Sequence, residues 1–98
     1  MTFRIFETAE FHRWFRSQNI KTQLIVTARI ERLQVEGHWG FVNRFDSLIE
    51  LKWALGMRIY TSLIENTVVV ILLGGNKNGQ SKDIKKAKKL LQEVLEGI

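Results

Sequence analysis

The chain predicts an α+β fold in the order β-α-α-β-β-β-α, with residues 1–98 forming one domain. Three observations carry that prediction. Up to about Glu36 the apolar residues recur at helical spacing, and from Val42 onward they alternate with a period of two. The chain then ends on a second helical pattern, apolar on one face and lysine-rich on the other.

Phe3-Arg4-Ile5 alternates and Phe6 follows, which suits a short opening strand. Thr8 is placed to cap a helix from Ala9 to about Gln18, because its hydroxyl can accept an otherwise unpaired amide hydrogen of the first turn. Phe11, Trp14 and Phe15 share one face of that helix and are assigned to the core. Asn19 is placed to cap a second helix from Ile20 to about Glu36, stopped by Gly37. This helix has two apolar stripes: Ile20, Leu24, Ala28 and Val35, and Val26, Ile30 and Leu33. Two stripes predict a helix sandwiched between the first helix and a sheet.

Ile49, Leu51 and Trp53 alternate with Glu50 and Lys52, and Met57 and Ile59 alternate with Arg58 and Tyr60. With Ala54-Leu55-Gly56 between them, they read as a β-hairpin. If both apolar sets face one side, as the pleat requires, Lys52 falls opposite Arg58 and Glu50 opposite Tyr60. Two like charges facing each other across strands cost stability unless an anion lies between them. Glu65-Asn66 reads as a turn, and Thr67 to Leu73 as a central strand covered on both faces. After a loop from Gly74 to Gln80, Ser81 is placed to cap the last helix, with Asp83 in its first turn. Ile84, Ala87, Leu91, Val94, Leu95 and Ile98 share one face of it.

The composition bounds the chemistry. The 98 residues are 45% apolar and 26% charged, ordinary for a folded soluble protein. No apolar run approaches a membrane span and no signal-peptide pattern opens the chain. There is no cysteine, which excludes disulfides, thiolate metal sites and thiol nucleophiles and makes the cytoplasm the expected compartment. His12 and His38 are not at metal-ligand spacing, so neither metal nor cofactor is expected. The net charge of +5 points to an anionic partner. The surplus is local, since residues 76–90 hold six lysines and one acid.

What remains is a cationic constellation of Lys52, Arg58 and Lys77, with Tyr60 and Glu50 nearby. Arginine's planar fork suits a phosphodiester, and a lysine can protonate a leaving oxygen. RNA carries its own nucleophile, the 2′-hydroxyl, so its cleavage needs positioned cations and one modest base. A solvated sheet face is the competing explanation of the hairpin charges, and a solvated helix face that of the lysines.

The segments ARIERL (28–33), IELKW (49–53), MRIY (57–60), VVVILLGGNK (68–77) and Q-x-x-D-I-x-x-A (80–87) resemble the HigB-like, phage Gp49-like branch of the RelE/ParE toxin superfamily. The resemblance runs from about Phe11 to Leu91. It implies a RelE-like microbial RNase-type fold, with helices on one face of a twisted antiparallel sheet and RNA on the other. It also implies the toxin of a type II toxin–antitoxin module, an mRNA interferase whose partner is a small helix-turn-helix antitoxin. Such an enzyme is a metal-independent endoribonuclease acting on mRNA, on the ribosome or free.

Carried over by position, Arg58 contacts the scissile phosphate, Lys52 stands where this branch has an arginine, and Lys77 ends the penultimate loop. Glu50, Tyr60 and Lys52 are all candidates for the base. Gln80 and Asp83 fall at positions read as helix capping and structural. Lys82, Lys85, Lys86 and Lys89 are expected to steer RNA or the ribosome, and Trp39 of the Gly37-His38-Trp39-Gly40 loop to offer a stacking surface. Two alternatives stay open: a ParE-like gyrase poison, and a non-catalytic nucleic-acid- or protein-binding module on the same fold.

Overall fold

The computed structural model describes residues 2–97, so Ile98 of the predicted apolar face lies outside the described residues. Strand β1 (Arg4–Glu7) leads into α1 (Ala9–Arg16) and α2 (Ile20–Glu36). Four strands follow, β2 (Val42–Phe45), β3 (Leu48–Lys52), β4 (Met57–Ile64) and β5 (Val68–Asn76), and then a short 3-10 turn and α3 (Gln80–Glu96). The α+β class holds, with one strand more than expected. Strand β2 is short and polar at Asn43 and Arg44, so its own alternation is too brief to read.

The caps form as the side chains dictate. Thr8 accepts from the Phe11 amide at 3.0 Å and donates to the Leu72 carbonyl at 2.7 Å, fixing α1 to β5. Asn19 accepts from the Thr22 amide at 2.8 Å, and Gly37 ends α2 in the left-handed region at φ 71°. Ser81 does not cap the last helix. Gly79 occupies that position without a side-chain bond, and Asn76 instead caps the preceding 3-10 turn.

The five strands form one sheet in the order β1-β5-β4-β3-β2. Three strand pairs are antiparallel, but β1 runs parallel to β5, so the sheet is mixed at that edge. Glu65 and Asn66 both take positive φ at the β4–β5 turn, as a tight hairpin turn requires. The register places Lys52 opposite Arg58 and Glu50 opposite Tyr60, as the pleat argument predicted.

Helices cover both faces, which corrects the one-sided packing expected. Val69 and Ile71 point to one face, where Phe11 of α1 and Val26, Ile30 and Leu33 of α2 complete a buried cluster. Val70 and Leu72 point to the other face, against Ala87 and Leu91 of α3. The unbroken apolar run of β5 is the cause, because a strand apolar on both sides must be covered on both. An irregularity in the β4–β5 pairing between Tyr60 and Thr61 keeps Leu72 and Leu73 together on the α3 side. Only one stripe of α2 is buried. Ile20, Leu24, Ala28 and Val35 face outward, so α2 is not sandwiched.

Candidate functional site

The α3 face of the sheet holds the polar constellation. Glu50 on β3 is fully buried, and two donors from distant segments reach it. Asn43 of β2 donates to Oε1 at 3.1 Å, and Gln80, in the first turn of α3, donates to Oε2 at 2.8 Å. Arg58 Nε lies 3.9 Å from Glu50 Oε1, within ion-pair range. A carboxylate removed from water is tolerated when it is paired and hydrogen-bonded, and Glu50 is both.

Arg58 is correspondingly fixed. Its side chain is only 12% exposed, and one terminal nitrogen donates to the carbonyls of Trp53 (3.2 Å) and Met57 (3.0 Å) at the hairpin turn. Lys52 lies directly across the pair, partly exposed. Its backbone is held from both sides, its amide by the Phe41 carbonyl at 3.0 Å and its carbonyl by the Arg29 guanidinium. Arg29 also donates to the carbonyls of Trp39 and Phe41 and stacks 4.3 Å from the Trp53 ring centroid. Burial lowers its pKa from the ordinary arginine value.

Lys77 joins the same end of the sheet. Its amide donates to the Gly56 carbonyl at 2.7 Å, and its aliphatic stem lies over Gly56 at the tip of the β3–β4 hairpin. The three cations chosen from sequence therefore share one rim, built from the ends of β3, β4 and β5.

Tyr60 has no exposure. Its hydroxyl makes no well-formed hydrogen bond to a described residue, yet it lies in the field of two carboxylates. Burial first, then Glu50, then Asp83 push its ionisation well above the usual phenol range, and Arg58 offsets part of this. Asp83 is itself raised by burial, against Lys86 and Lys82.

The remaining expected residues lie elsewhere. Trp39 is half-buried, packs on Phe3 with ring centroids 5.7 Å apart, and belongs to the α1–α2 side. Lys82, Lys85, Lys86 and Lys89 are exposed on α3, with Lys86 paired to Glu10 at 3.2 Å. Lys88 ties α3 to the β2–β3 turn through Asp46 at 2.7 Å.

Sequence reasoning passed over three contributors. Asn43 sits on the strand that was not foreseen, and Gln80, expected to be capping and structural, ends the 3-10 turn with its backbone while its side chain reaches Glu50. Phe41 follows Trp39 by two residues and is 84% exposed beside Lys52. With Arg32, His38 and Lys52 it lines a hollow of about 340 Å³. The signal for Phe41 was present, an aromatic directly after a turn glycine, but the tryptophan drew it off. Among the described residues no group of three or more His, Cys, Asp and Glu could hold a metal, and no helix is long and apolar enough to cross a membrane.

No protein-family model matches the chain. Among solved structures, a mutant of the Escherichia coli toxin RelE in the free state superposes with a TM-score of 0.69 at 16% identity, over 91% of this chain and 97% of that one. The toxin–antitoxin complex RelBE2 of Mycobacterium tuberculosis gives 0.62 at 16% identity, over 78% and 99%. The intact Escherichia coli RelBE complex gives 0.59 at 11% identity, over 76% and 95%. The fold is thus that of the RelE toxins. An uncharacterized protein of Haemophilus influenzae is 37% identical over 98 residues, covering 96% of this chain and 98% of the relative. At that identity and coverage the chain belongs to the same family as the Haemophilus influenzae protein, on a RelE-type fold.

Proposed function

We propose that the chain is the toxin of a type II toxin–antitoxin module, a HigB-like mRNA interferase that cleaves mRNA on the ribosome. The observation that carries this reading is the cross-strand pair of Lys52 and Arg58, with Lys77 at the same rim. Like charges placed opposite each other destabilise a sheet, and a bound phosphodiester would turn that cost into affinity. The RelE-type fold supports the reading, and the RelBE complexes support an antitoxin as partner.

The chemistry follows from the groups present. The RNA 2′-hydroxyl attacks the adjacent phosphorus, a new P–O bond forms, and the bond to the 5′-oxygen breaks. The products are a 2′,3′-cyclic phosphate and a 5′-hydroxyl. Arg58, held on Glu50, stabilises the charge that builds on the phosphorane. Lys77 supplies the proton to the departing 5′-oxygen, and Lys52 lies along the backbone. Burial argues against Glu50 and Tyr60 as the base, because neither reaches solvent and Tyr60 holds its proton at neutral pH. Lys52, needed as a cation beside the phosphate, does not take the proton either, so the 2′-hydroxyl proton passes to solvent water. Phe41 offers a stacking surface next to Lys52, and the α3 lysines steer RNA by charge. The setting is the cytoplasm, where mRNA and ribosomes are.

The test is purified protein with a defined mRNA, with and without translating ribosomes. Cuts that end in a cyclic phosphate and vanish in Arg58→Ala support the proposal. RNA binding without cleavage in either setting would favour the non-catalytic module, and a DNA-damage response without mRNA loss in induced cells would favour a gyrase poison.

A further inference from the structure

The outward stripe of α2 is a large apolar feature that meets the candidate site only at Ala28, which lines the hollow beside Phe41 and Lys52. Ile20 is 70% exposed, Leu24 64% and Val35 57%, and Ala28 between them is open to solvent as well. The opposite side of the same helix, Val26, Ile30 and Leu33, is buried in the core. A surface helix ordinarily pairs its apolar face with a polar one, and a helix apolar on both sides is built to be covered twice. Among the described residues nothing supplies the second cover, since α1 packs on β5.

We propose that a second copy of this chain supplies it, with the two α2 helices packed antiparallel about a two-fold axis near Ala28. The apolar stripe at 20, 24, 28 and 35 runs over about 22 Å at 1.5 Å per residue, with the exposed Glu31 on the same side between Ala28 and Val35. Two features favour a copy over an unrelated partner. The smallest residue, Ala28, stands near its midpoint, where an antiparallel two-fold brings the helices closest and sets Ile20 of each against the Val35 end of the other. Lys21 opens the helix and Glu36 closes it on the same flank, so the two-fold pairs Lys21 with Glu36 twice. Among the described residues neither of these two has an ion-pair partner within its own chain. Such an interface is isologous and closes on itself. The surplus positive charge lies on α3, across the sheet from α2, so the contact does not bring the two lysine faces together.

Sedimentation velocity over a range of concentrations tests this with the full chain. The wild type is expected to sediment as a dimer that dissociates on dilution. Leu24→Glu, at an exposed position, is expected to keep its helical circular dichroism and weaken the dimer at least about tenfold. Lys21→Glu alone is expected to weaken it, and Lys21→Glu with Glu36→Lys to restore it. A monomer at every concentration would overturn the proposal. So would a dimer that Leu24→Glu leaves intact, or a charge swap that fails to restore association.

Discussion

Gln80 on α3 donates to the buried carboxylate of Glu50 at 2.8 Å, across 30 residues of sequence and from one layer of the fold to another. The same carboxylate takes Asn43 on its other oxygen and stands beside Arg58. The arginine assigned to the phosphate is therefore held by a carboxylate that α3 and β2 hold in turn. Gln80→Ala is expected to lower the free energy of unfolding by about 1–3 kcal/mol, because a buried charged acceptor loses a donor. Urea unfolding measures it, and a change within error would mean that water replaces the amide freely.

Opposed Lys52 and Arg58 imply a conflict between stability and function. Lys52→Ala removes a like-charge cross-strand pair, so it is expected to leave the free protein unchanged or more stable by about 0.2–1 kcal/mol. The same change is expected to weaken RNA binding and flatten its salt dependence by close to one phosphate contact. Thermal unfolding beside RNA titrations at two salt concentrations separates the two effects.

The only tyrosine of the chain offers a clean optical probe. Tyr60 has a raised folded-state pKa, so its contribution to stability is complete below about pH 10, the unfolded tyrosine value, and is lost as pH rises toward the folded value. The ultraviolet absorbance of tyrosinate is thus expected to stay flat through pH 10 while the fold persists. It should then rise together with the loss of circular dichroism. A titration at about pH 10 in folded protein would contradict the burial.

Two glycines let the layers meet. A Cβ on Gly75 would collide with the Asp83 carboxylate of α3, and one on Gly74 with the Trp14 ring of α1. Gly74→Ala is expected to cost about 1–3 kcal/mol, because the added Cβ would overlap the rigid indole, which must shift as a whole. Gly75→Ala should cost less, and Asp83→Ala in the same chain should recover part of the loss. Denaturant midpoints of the two single variants and the double variant check this.

Much of this was legible in local chemistry. Thr8, Asn19 and Gly37 mark helix ends through side-chain oxygens and a left-handed turn, which act over three or four residues. The Lys52–Arg58 register follows from the two-residue period. What was not legible depends on distant chain. Glu50 shows no partner in sequence, because Asn43 lies on a four-residue strand and Gln80 lies 30 residues on. The second stripe of α2 is apolar by pattern, but only the packing shows that nothing in the described chain covers it. Ser81 is a good cap by type, yet the helix starts two residues earlier than that cap would set, at Gln80, which can reach the sheet.

The central claim is that Arg58, set on Glu50 opposite Lys52, serves RNA cleavage. Mapping 5′ ends of cellular mRNA after induction of wild type and Arg58→Ala tests it most directly. The account predicts discrete in-frame cuts with 5′-hydroxyl ends for the wild type, and their loss in an Arg58→Ala protein that accumulates and folds normally. Equal cutting and equal growth inhibition by the two proteins would contradict it.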